Sequence, residues 1–575
     1  MKPKLNERIW VHLRSALSPH IRRMIFHNRP PGDVIDRLRI QAWLILSRLG
    51  EFVQEDPDKL MRKAERAVFF AYRQAMNTVP EGFEVRDGRN TLHEPILTGM
   101  WAPEVSRHTQ VEVSADMTTV CQHLSSTPLK LELRVLEAFL KSKEYLTNPE
   151  LQTRMKILEE EAHRIGNEPF WIAARILDFR FRIYADTRGG WSYQGDKLQM
   201  SCLRFGEALA VPNPEILWWF LNHHGVTSEN YRGFIKTPVK TVDNHGPHTL
   251  SAAYAAEEFV RTGCSSYMCE LDQTNSGGGY ISLLMGDRSL ATLCNLLGKG
   301  GHDLYRLMGE QCRMLDTDLL HTDLEIIRKE IAKPVAVPGQ YSAGPARIAK
   351  GLLGFDDEEF SPENFTAMLA KMTIPGCLTK AFKGMDSFEE VHSKMQKKAR
   401  LYLRALHSVA PSIRGYIDAC TKLRAMHDGD RYNLTHISGM PVTLLPWRRL
   451  QSKSVRIGSK IEGLGELKAS TSPIEYSPDG DTSSHRVHKD DSGTLFLTVL
   501  QAHEDNIPLV TKHDAFLLHA ANIPWLYPVI TKNVKIIGES MDFRSQCEAA
   551  GIEIRKGNFT AKDIKPNQAK KFFTV

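Results

Sequence analysis

The chain is poor in cysteine and has no long apolar run. Its 575 residues include nine cysteines and no CxxC pair, which argues against a disulfide framework or a zinc ribbon and favours a reducing compartment. No apolar run approaches the roughly 18 residues that a membrane span requires. The first residues, Met1-Lys2-Pro3-Lys4, lack the apolar segment of a secretory signal. We therefore expect a protein that neither crosses a membrane nor depends on disulfides.

Neither sign of charge is in large excess. The net charge of +6 is a weak indication of a polyanionic partner, for which a local basic groove would be stronger evidence. The apolar share of 42% and the charged share of 25% are typical of globular chains rather than disordered ones. The first 30 residues are basic and nearly free of acids, as in a basic surface helix or, alternatively, a mitochondrial presequence. The length predicts several subdomains.

Capping residues and apolar spacing predict an α+β protein that is mostly helical. We expect a helical N-terminal domain over residues 1–125 and a pair of helices over 126–166. The second helix of the pair begins at Asn148-Pro149 and ends at Gly166. The pair fits either a clamp or a plain scaffold. Mixed strands and helices follow from about residue 170, helices dominate over 280–425, and short strands with basic residues cover 433–473.

Two aspartates far apart in sequence each lie at the end of an apolar run. The run from Tyr267 to Asp272 leads into Ser276-Gly277-Gly278-Gly279, and His513-Asp514 lies between two apolar runs, which predicts a tight hairpin with the acid at its tip. A single aspartate at a strand end is commonly a turn or cap residue. Two such acids together could hold the two Mg²⁺ ions, about 3.5–4 Å apart, that phosphoryl transfer to a hydroxyl uses.

A lysine and a tyrosine stand between these acids. Lys333 and Tyr341 are eight residues apart, a spacing that places two residues on one side of a helix. Pro334 and Pro338-Gly339 disfavour a regular helix through the segment, so we expect the two side chains to converge across a kink. A lysine near triphosphate oxygens neutralises charge that develops during transfer. The glycines after Asp272 allow close approach of backbone to a ligand, or form a packing turn before a helix at Tyr280–Met285.

Several further segments occur in a fixed order around these residues. They are Asp186-Thr187-Arg188-Gly189-Gly190, Asp272 to Gly277, Asp303-Leu304-Tyr305, Lys333 to Tyr341, Gly439-Met440-Pro441-Val442, Tyr476 to Gly480, His513-Asp514-Ala515-Phe516 and the terminal Phe572-Phe573-Thr574-Val575. Together they resemble the single-subunit RNA polymerases of phages and mitochondria over roughly residues 170–575. The resemblance implies a right-hand fold of palm, fingers and thumb, preceded by the small helical N-terminal domain.

The resemblance also implies boundaries and site residues. The thumb would cover 126–166, the palm 167–287 and 476–575 with the C-terminal tail, and the fingers, with a segment like the specificity hairpin, 288–475. Asp272 and Asp514 would bind two Mg²⁺ ions, assisted by the carbonyl of Gln273. The implied substrate-binding residues are Lys333, Tyr341, Lys329 or its neighbour Arg328, Tyr305, Arg188, Gly277 and His513. Either Lys333 or His513 fits the role of general acid for pyrophosphate.

The chain departs from the family pattern at several positions. The second Arg of the family's Asp-x-Arg-Gly-Arg turn is Gly190, and the Gly after the motif Tyr is Ser342. Gly279-Tyr280 stands for the usual Gln-His, and Tyr476 for a His that contacts the 2′-hydroxyl in some members. These departures concern ribose selection and nucleic-acid contacts rather than the metal site.

Three hypotheses follow. The first is a DNA-dependent RNA polymerase, the second a DNA polymerase or primase-like enzyme of the same fold, and the third a non-catalytic nucleic-acid-binding or virion protein. Related DNA polymerases place a Glu five residues after the first metal Asp and an aromatic four residues after the Lys. This chain has Gly277 and Val337 there, which favours ribonucleotides. The presence of Asp272, Asp514 and Lys333 argues against the third hypothesis.

The expected partners are a DNA template, a nascent RNA and ribonucleoside triphosphates. Family members usually carry a larger promoter-binding region before the palm than the one available here. We therefore expect initiation to need a partner protein that recognises or melts the promoter, a single-stranded template or a melted start site. The compact chain favours a phage-encoded enzyme in the cytoplasm of a bacterial host over a mitochondrial one.

Overall fold

A computed structural model of the protein divides into two units, Met1–Val113 and Ser114–Val575. The structure describes residues 83–86, 89–92, 114–176, 182–187, 190–297, 303–355, 368–369, 371–426, 432–444, 447–449, 475–477, 481–512, 514–555, 557–565 and 573–574. In the first unit, strands β1 (Phe83–Arg86) and β2 (Arg89–Leu92) pair antiparallel. The predicted helices of that unit lie outside the described residues.

The second unit is α+β and mostly helical, as predicted. Its α-helices are α1 (Ala115–Ser126), α2 (Leu133–Phe139), α3 (Lys143–Leu146), α4 (Pro149–Ile165), α5 (Lys197–Cys202), α6 (Pro214–Asn222), α7 (Tyr231–Lys236), α8 (Pro238–His245), α9 (Pro247–Thr262), α10 (Ser276–Met285), α11 (Arg288–Leu293), α12 (Leu304–Leu315), α13 (Leu324–Ile327), α14 (Lys333–Gly339), α15 (Pro345–Leu352), α16 (Phe388–Val409), α17 (Pro411–Ala425), α18 (Asp481–Glu504), α19 (Ile523–Ser540) and α20 (Phe543–Ala549). A π-helical turn covers Arg328–Ala332, and short 3-10 turns cover Thr317–Leu319, Gly376–Phe382, Ala520–Asn522 and Ala561–Asp563.

The strands of the second unit are short. They are β3 (Leu129–Leu131), β4 (Ala173–Ile176), β5 (Ile183–Asp186), β6 (Leu203–Phe205), β7 (Leu209–Ala210), β8 (Cys264–Ser265), β9 (Cys269–Gln273), β10 (Tyr432–Thr435), β11 (Pro441–Leu444), β12 (Trp447–Arg449), β13 (Glu475–Ser477), β14 (Leu509–Lys512), β15 (Ala515–Leu518) and β16 (Phe573–Thr574). Four of them form the largest described sheet, in the order β14-β15-β9-β16.

Helix α4 begins and ends at the residues that its sequence predicts. The side chain of Asn148 accepts a hydrogen bond from the Leu151 N–H, Pro149 occupies the first turn, and Gly166 ends the helix with a φ of 60°. The first half of the expected helical pair differs, because β3 pairs with β6 and the chain then forms two short helices. Ser142 caps the second of these, α3, and so separates it from α2.

The segment of Lys333 and Tyr341 is more helical than its prolines suggested. Helix α14 covers Lys333–Gly339 with Pro338 inside it, and Pro334 lies in its first turn, where a missing N–H is tolerated. The helix ends before Tyr341, whose N–H donates to the carbonyl of Pro338. No regular helix therefore joins the two residues, as predicted. Ser342 follows with a φ of 65°, a left-handed conformation that glycine adopts more easily.

The largest sheet is a buried scaffold for the segments that carry the two acids. Strands β14 and β15 form an antiparallel hairpin with Lys512 opposite Ala515, which confirms the predicted hairpin. Strand β15 pairs in turn with β9, and Leu271 and Phe516 are opposite each other and fully buried. Helix α10 leaves β9 and packs against α11, α17 and α18.

Two sequence predictions about composition can be compared with the structure, and a third cannot. All nine cysteines are free thiols. In the part of the chain that the structure describes, no helix is long and apolar enough to cross a membrane. The expected basic segment after Arg449 lies outside the described residues.

A buried ion pair joins α16 to the turn after α12. The Lys398 ammonium lies 2.6 Å from Asp316 Oδ2 and 2.7 Å from Asp318 Oδ2, and the Tyr402 hydroxyl donates to Asp316 Oδ2 at 2.6 Å. Lys398 and Asp316 are 6% and 5% exposed. Each therefore depends on the other for compensation of its charge.

We expect Lys398→Met to lower the free energy of unfolding of the second unit by about 3 kcal/mol, because it leaves the Asp316 charge buried without its cation. The exposed neighbour Lys397 lies on the same helix, and Lys397→Met should change stability by no more than about 0.5 kcal/mol. Urea unfolding followed by circular dichroism measures both. Equal stability of the two variants would contradict this role of the pair.

Candidate active site

The sheet brings together two acids that are far apart in sequence. The register of β15 against β9 pairs Phe516 with Leu271, and its continuation places Asp272 opposite Ala515, one residue from Asp514. The Ser276 hydroxyl, at the start of α10, donates to Asp514 Oδ2 at 2.8 Å. Asp514 thus lies in the turn of the hairpin beside the end of β9, as the sequence predicted.

Negative charge is crowded at this end of the sheet. Asp272 lies at the surface of the site, although surrounding protein atoms reduce its hydration. This loss of hydration, together with the charges of Asp514 and Glu270, raises the pKa of Asp272 to about 7. The positive charge of Lys333 opposes the rise. Lys333 is therefore close enough to Asp272 for the two charges to interact, which the sequence spacing alone did not establish.

The donor set fits a divalent cation. Carboxylate oxygens are ligands that Mg²⁺ prefers, and Mg²⁺ commonly takes only one or two protein carboxylates and completes its shell with water and substrate phosphates. Asp272 and Asp514 would hold the ions. No group of three or more His, Cys, Asp or Glu residues within the described ranges could hold a metal ion by itself. An ion held by the two acids would complete its shell with water and substrate oxygens.

The C-terminal strand lies beside the first acid. Thr574 pairs with Asp272 and Phe573 pairs with Gln273, antiparallel. The terminal aromatic segment therefore lies against the end of β9. Gln273, whose carbonyl was expected to assist the metal, is paired with this terminal strand, and its role as a ligand stays a prediction.

Tyr341 projects back over the start of α10. A Cβ atom at Gly277 would fall far inside van der Waals contact with the Tyr341 hydroxyl oxygen. Space at Gly277 is thus used by the tyrosine itself, and no side chain fits there without displacing it. Burial and the negative charges of Asp491 and Asp514 raise the pKa of Tyr341 well above its usual value, so the hydroxyl stays protonated.

Arg328 and Tyr305 meet next to the acids. The Arg328 guanidinium forms an ion pair with Asp303 and lies 6.0 Å from the centre of the Tyr305 ring. Tyr305 is buried, and the charge of Asp272 contributes to its raised pKa. Lys329, the other candidate for phosphate contact, forms no ion pair with any residue that the structure describes. Arg328, rather than Lys329, therefore forms contacts beside the site.

Helix α18 contributes residues that the sequence analysis did not single out. The His488 ring lies 5.0 Å from the ring of Tyr341. Asp491, one turn further along, is buried, and it forms an ion pair at 3.3 Å with Arg182, the residue before β5. Burial and the charge of Asp514 raise the pKa of Asp491 to about 8. The sequence shows the polar character of this region, because the first half of α18, from Asp481 to Thr494, is almost entirely polar, but it does not show that many of these residues are buried.

The segment before the Asp-Thr-Arg-Gly-Gly turn is also attached to the hairpin. Gln194 donates to the carbonyls of Ile183 and Thr511, at 3.1 and 2.9 Å, and accepts from the Ala185 N–H. Thr511 is in β14, two residues before the turn of Asp514. Gln194 therefore fixes the loop after β5 against the acid-bearing hairpin.

Some expected site residues cannot be placed. Arg188 and His513 lie outside the described residues, and so does the side chain of Tyr476. A scan against protein-family models finds no match. A search of curated proteins also finds no match. The functional assignment therefore depends on the residues and their geometry.

The raised pKa of Asp272 leads to a prediction about stability. Below about pH 7 the folded protein retains a proton that the unfolded chain releases near pH 4, so stability should fall as the pH rises through about 7. We expect Asp272→Asn to raise the melting temperature at pH 8 without divalent metal, by about 2 °C, and to have little effect below about pH 4, where the folded and unfolded chains both carry the proton. Mg²⁺ should reduce the difference in melting temperature between Asp272→Asn and the unaltered chain at pH 8.

The exposed Asp386 provides the control. Any effect of Asp386→Asn on the melting temperature should be the same at both pH values. Differential scanning calorimetry measures all three proteins. A lower melting temperature for Asp272→Asn at pH 8 would contradict the crowding of charge at this site.

Proposed function

We propose that this protein is a DNA-dependent RNA polymerase that transfers ribonucleotides to an RNA 3′-hydroxyl on a DNA template. The observation that carries the proposal is the position of Asp272 and Asp514 side by side at one end of a buried sheet, with Lys333 close enough to act on the Asp272 charge. Two acids from remote segments and one cation are the parts that nucleotidyl transfer with two ions uses.

Each residue has a role in this proposal. Asp272 and Asp514 hold two Mg²⁺ ions, which, when bound, stabilise the charge on the attacking and leaving oxygens. Lys333 neutralises charge on the triphosphate. Tyr341 borders the position of the incoming nucleotide, with Arg328 and Tyr305 beside it. Ser276 fixes the Asp514 carboxylate through its hydrogen bond.

The proposal assigns the right-hand architecture to the second unit. The sheet β14-β15-β9-β16 with α10 and α18 would form the palm. The helices from α11 to α17 would form the fingers, and residues 126–166 the thumb. Short strands, a long α18 behind the hairpin and helices between the two acid-bearing segments support this division.

Two local features support ribonucleotides as substrates. Gly277 carries no side chain that could block a 2′-hydroxyl, and the space beside it holds the Tyr341 hydroxyl. Val337 is 39% exposed and lacks the aromatic ring that related DNA polymerases carry at the corresponding position. The chain therefore lacks, at both positions, the side chains that those DNA polymerases carry.

Primer extension on an RNA–DNA scaffold with Mg²⁺ tests the proposal. We expect the unaltered chain to extend the RNA with ribonucleotides. Asp272→Asn and Asp514→Asn should each lower the rate by about 10³-fold or more, and Lys333→Met by about 10²-fold, because each removes charge that acts on the transferred phosphate.

The matched controls are Asp386→Asn and Lys397→Met, which change an exposed acid and an exposed lysine and should extend at the normal rate. Extension with deoxyribonucleotides alone would instead support a DNA polymerase of this fold. Scaffold binding without any extension would overturn the enzymatic proposal in favour of a non-catalytic nucleic-acid-binding protein.

A further inference from the structure

The buried ion pair between Arg182 and Asp491 lies directly behind the candidate nucleotide site. Arg182 Nη2 is 3.3 Å from Asp491 Oδ2, and the two side chains are 20% and 6% exposed. Asp491 Oδ1 is buried and has no hydrogen-bond partner among the described residues. A carboxylate in such a place depends strongly on its one cation, because removal of a partner from a buried pair leaves an uncompensated charge.

The pair belongs to the same group of side chains as Tyr341. Asp491 and His488 are three residues apart on α18, so they lie on one side of the helix. His488 contacts the Tyr341 ring, and the charges of Asp491 and Arg182 both act on Tyr341. Thr494, one further turn along, accepts a hydrogen bond from Tyr280 Oη at 2.7 Å, which ties the helix to α10.

Gly190, in the turn after β5, carries no side chain that could take the part of Arg182. At Gly190, a Cβ atom would collide with the carboxylate of Glu161, which accepts a hydrogen bond from the Trp191 N–H at 3.0 Å. A side chain at position 190 would therefore have to displace the Glu161 carboxylate. In the described part of this segment, a guanidinium next to Tyr341 is provided by Arg182, the residue before β5.

We propose that Arg182 and Asp491 are positioning residues for nucleotide selection. Their ion pair fixes α18 against the β5 segment and so holds His488 and Tyr341 in place over Gly277. This inference rests on the proposed polymerase function and adds to it a pair of residues that touches neither metal nor phosphate. The pair acts on the sugar through Tyr341.

Loss of the ion pair between Arg182 and Asp491 should affect the selection of ribonucleotides over deoxyribonucleotides more than it affects the rate of transfer. Without Arg182, Asp491 would no longer attach α18 to the β5 segment, and the ring of Tyr341 would lose a fixed neighbour. Misplacement of a positioning group by about 1 Å can cost on the order of 10²-fold. The metal acids are held separately, by the sheet and by Ser276.

A double-mutant cycle on the primer-extension scaffold tests this inference. The variants are Arg182→Gln, Asp491→Asn and the two combined, with Arg182→Lys as a milder change that retains the charge. The ratio of kcat/KM for a ribonucleotide to that for its deoxyribonucleotide is measured for each. We expect each single neutral variant to lower the ratio about tenfold, chiefly through KM for the ribonucleotide, and the double variant to be no worse than either.

Arg182→Lys should retain most of the discrimination. The exposed pair Arg414 and Asp418 on α17 is the matched control, and Arg414→Gln with Asp418→Asn should leave the ratio unchanged. A purely structural role would lower incorporation of both nucleotides equally and leave the ratio unchanged, which would overturn the inference but not the proposed function. No incorporation by the unaltered chain would overturn both.

Discussion

The arrangement of this site depends on the repulsion between two carboxylates that the fold forces together. Asp272 and Asp514 are far apart in the sequence of the second unit, and antiparallel pairing of β9 with β15 leaves them beside each other. Such crowding is unfavourable unless a proton or a cation compensates it. The sheet tolerates this repulsion because burial of apolar side chains such as Leu271 and Phe516, both fully buried, stabilises the fold.

The surrounding elements each restrain one part of this charged group. Ser276 holds Asp514, the C-terminal strand covers the free edge of β9, and Gln194 attaches the loop after β5 to the hairpin. Helix α18 supplies a buried polar surface behind Tyr341. A site with two ions needs this kind of rigid support, because displaced ligands lose both affinity and rate.

Local patterns in the sequence predicted the elements that depend on local chemistry. The hairpin at Asp514 follows from two apolar runs separated by four polar residues, Thr511 to Asp514, and α4 follows from Asn148-Pro149 and Gly166. The sequence did not predict that a strand and two short helices replace the first helix of the pair. The reason is that β3 pairs with β6, about 70 residues further along the chain, and this pairing overrides helix propensity. The pair of Arg182 and Asp491 was also missed, since burial of charge on α18 arises only when the remote β5 segment packs against it.

The most direct test of the account is the position of the bound ion. Fe²⁺ in place of Mg²⁺, with ascorbate and peroxide, produces hydroxyl radicals that cut the chain next to the metal, and mass spectrometry locates the cuts. The account predicts cuts both at the end of β9 near Asp272 and in the turn of Asp514, suppressed by excess Mg²⁺. Metal-dependent cuts at only one of these places, or only elsewhere, would contradict a site shared by the two acids.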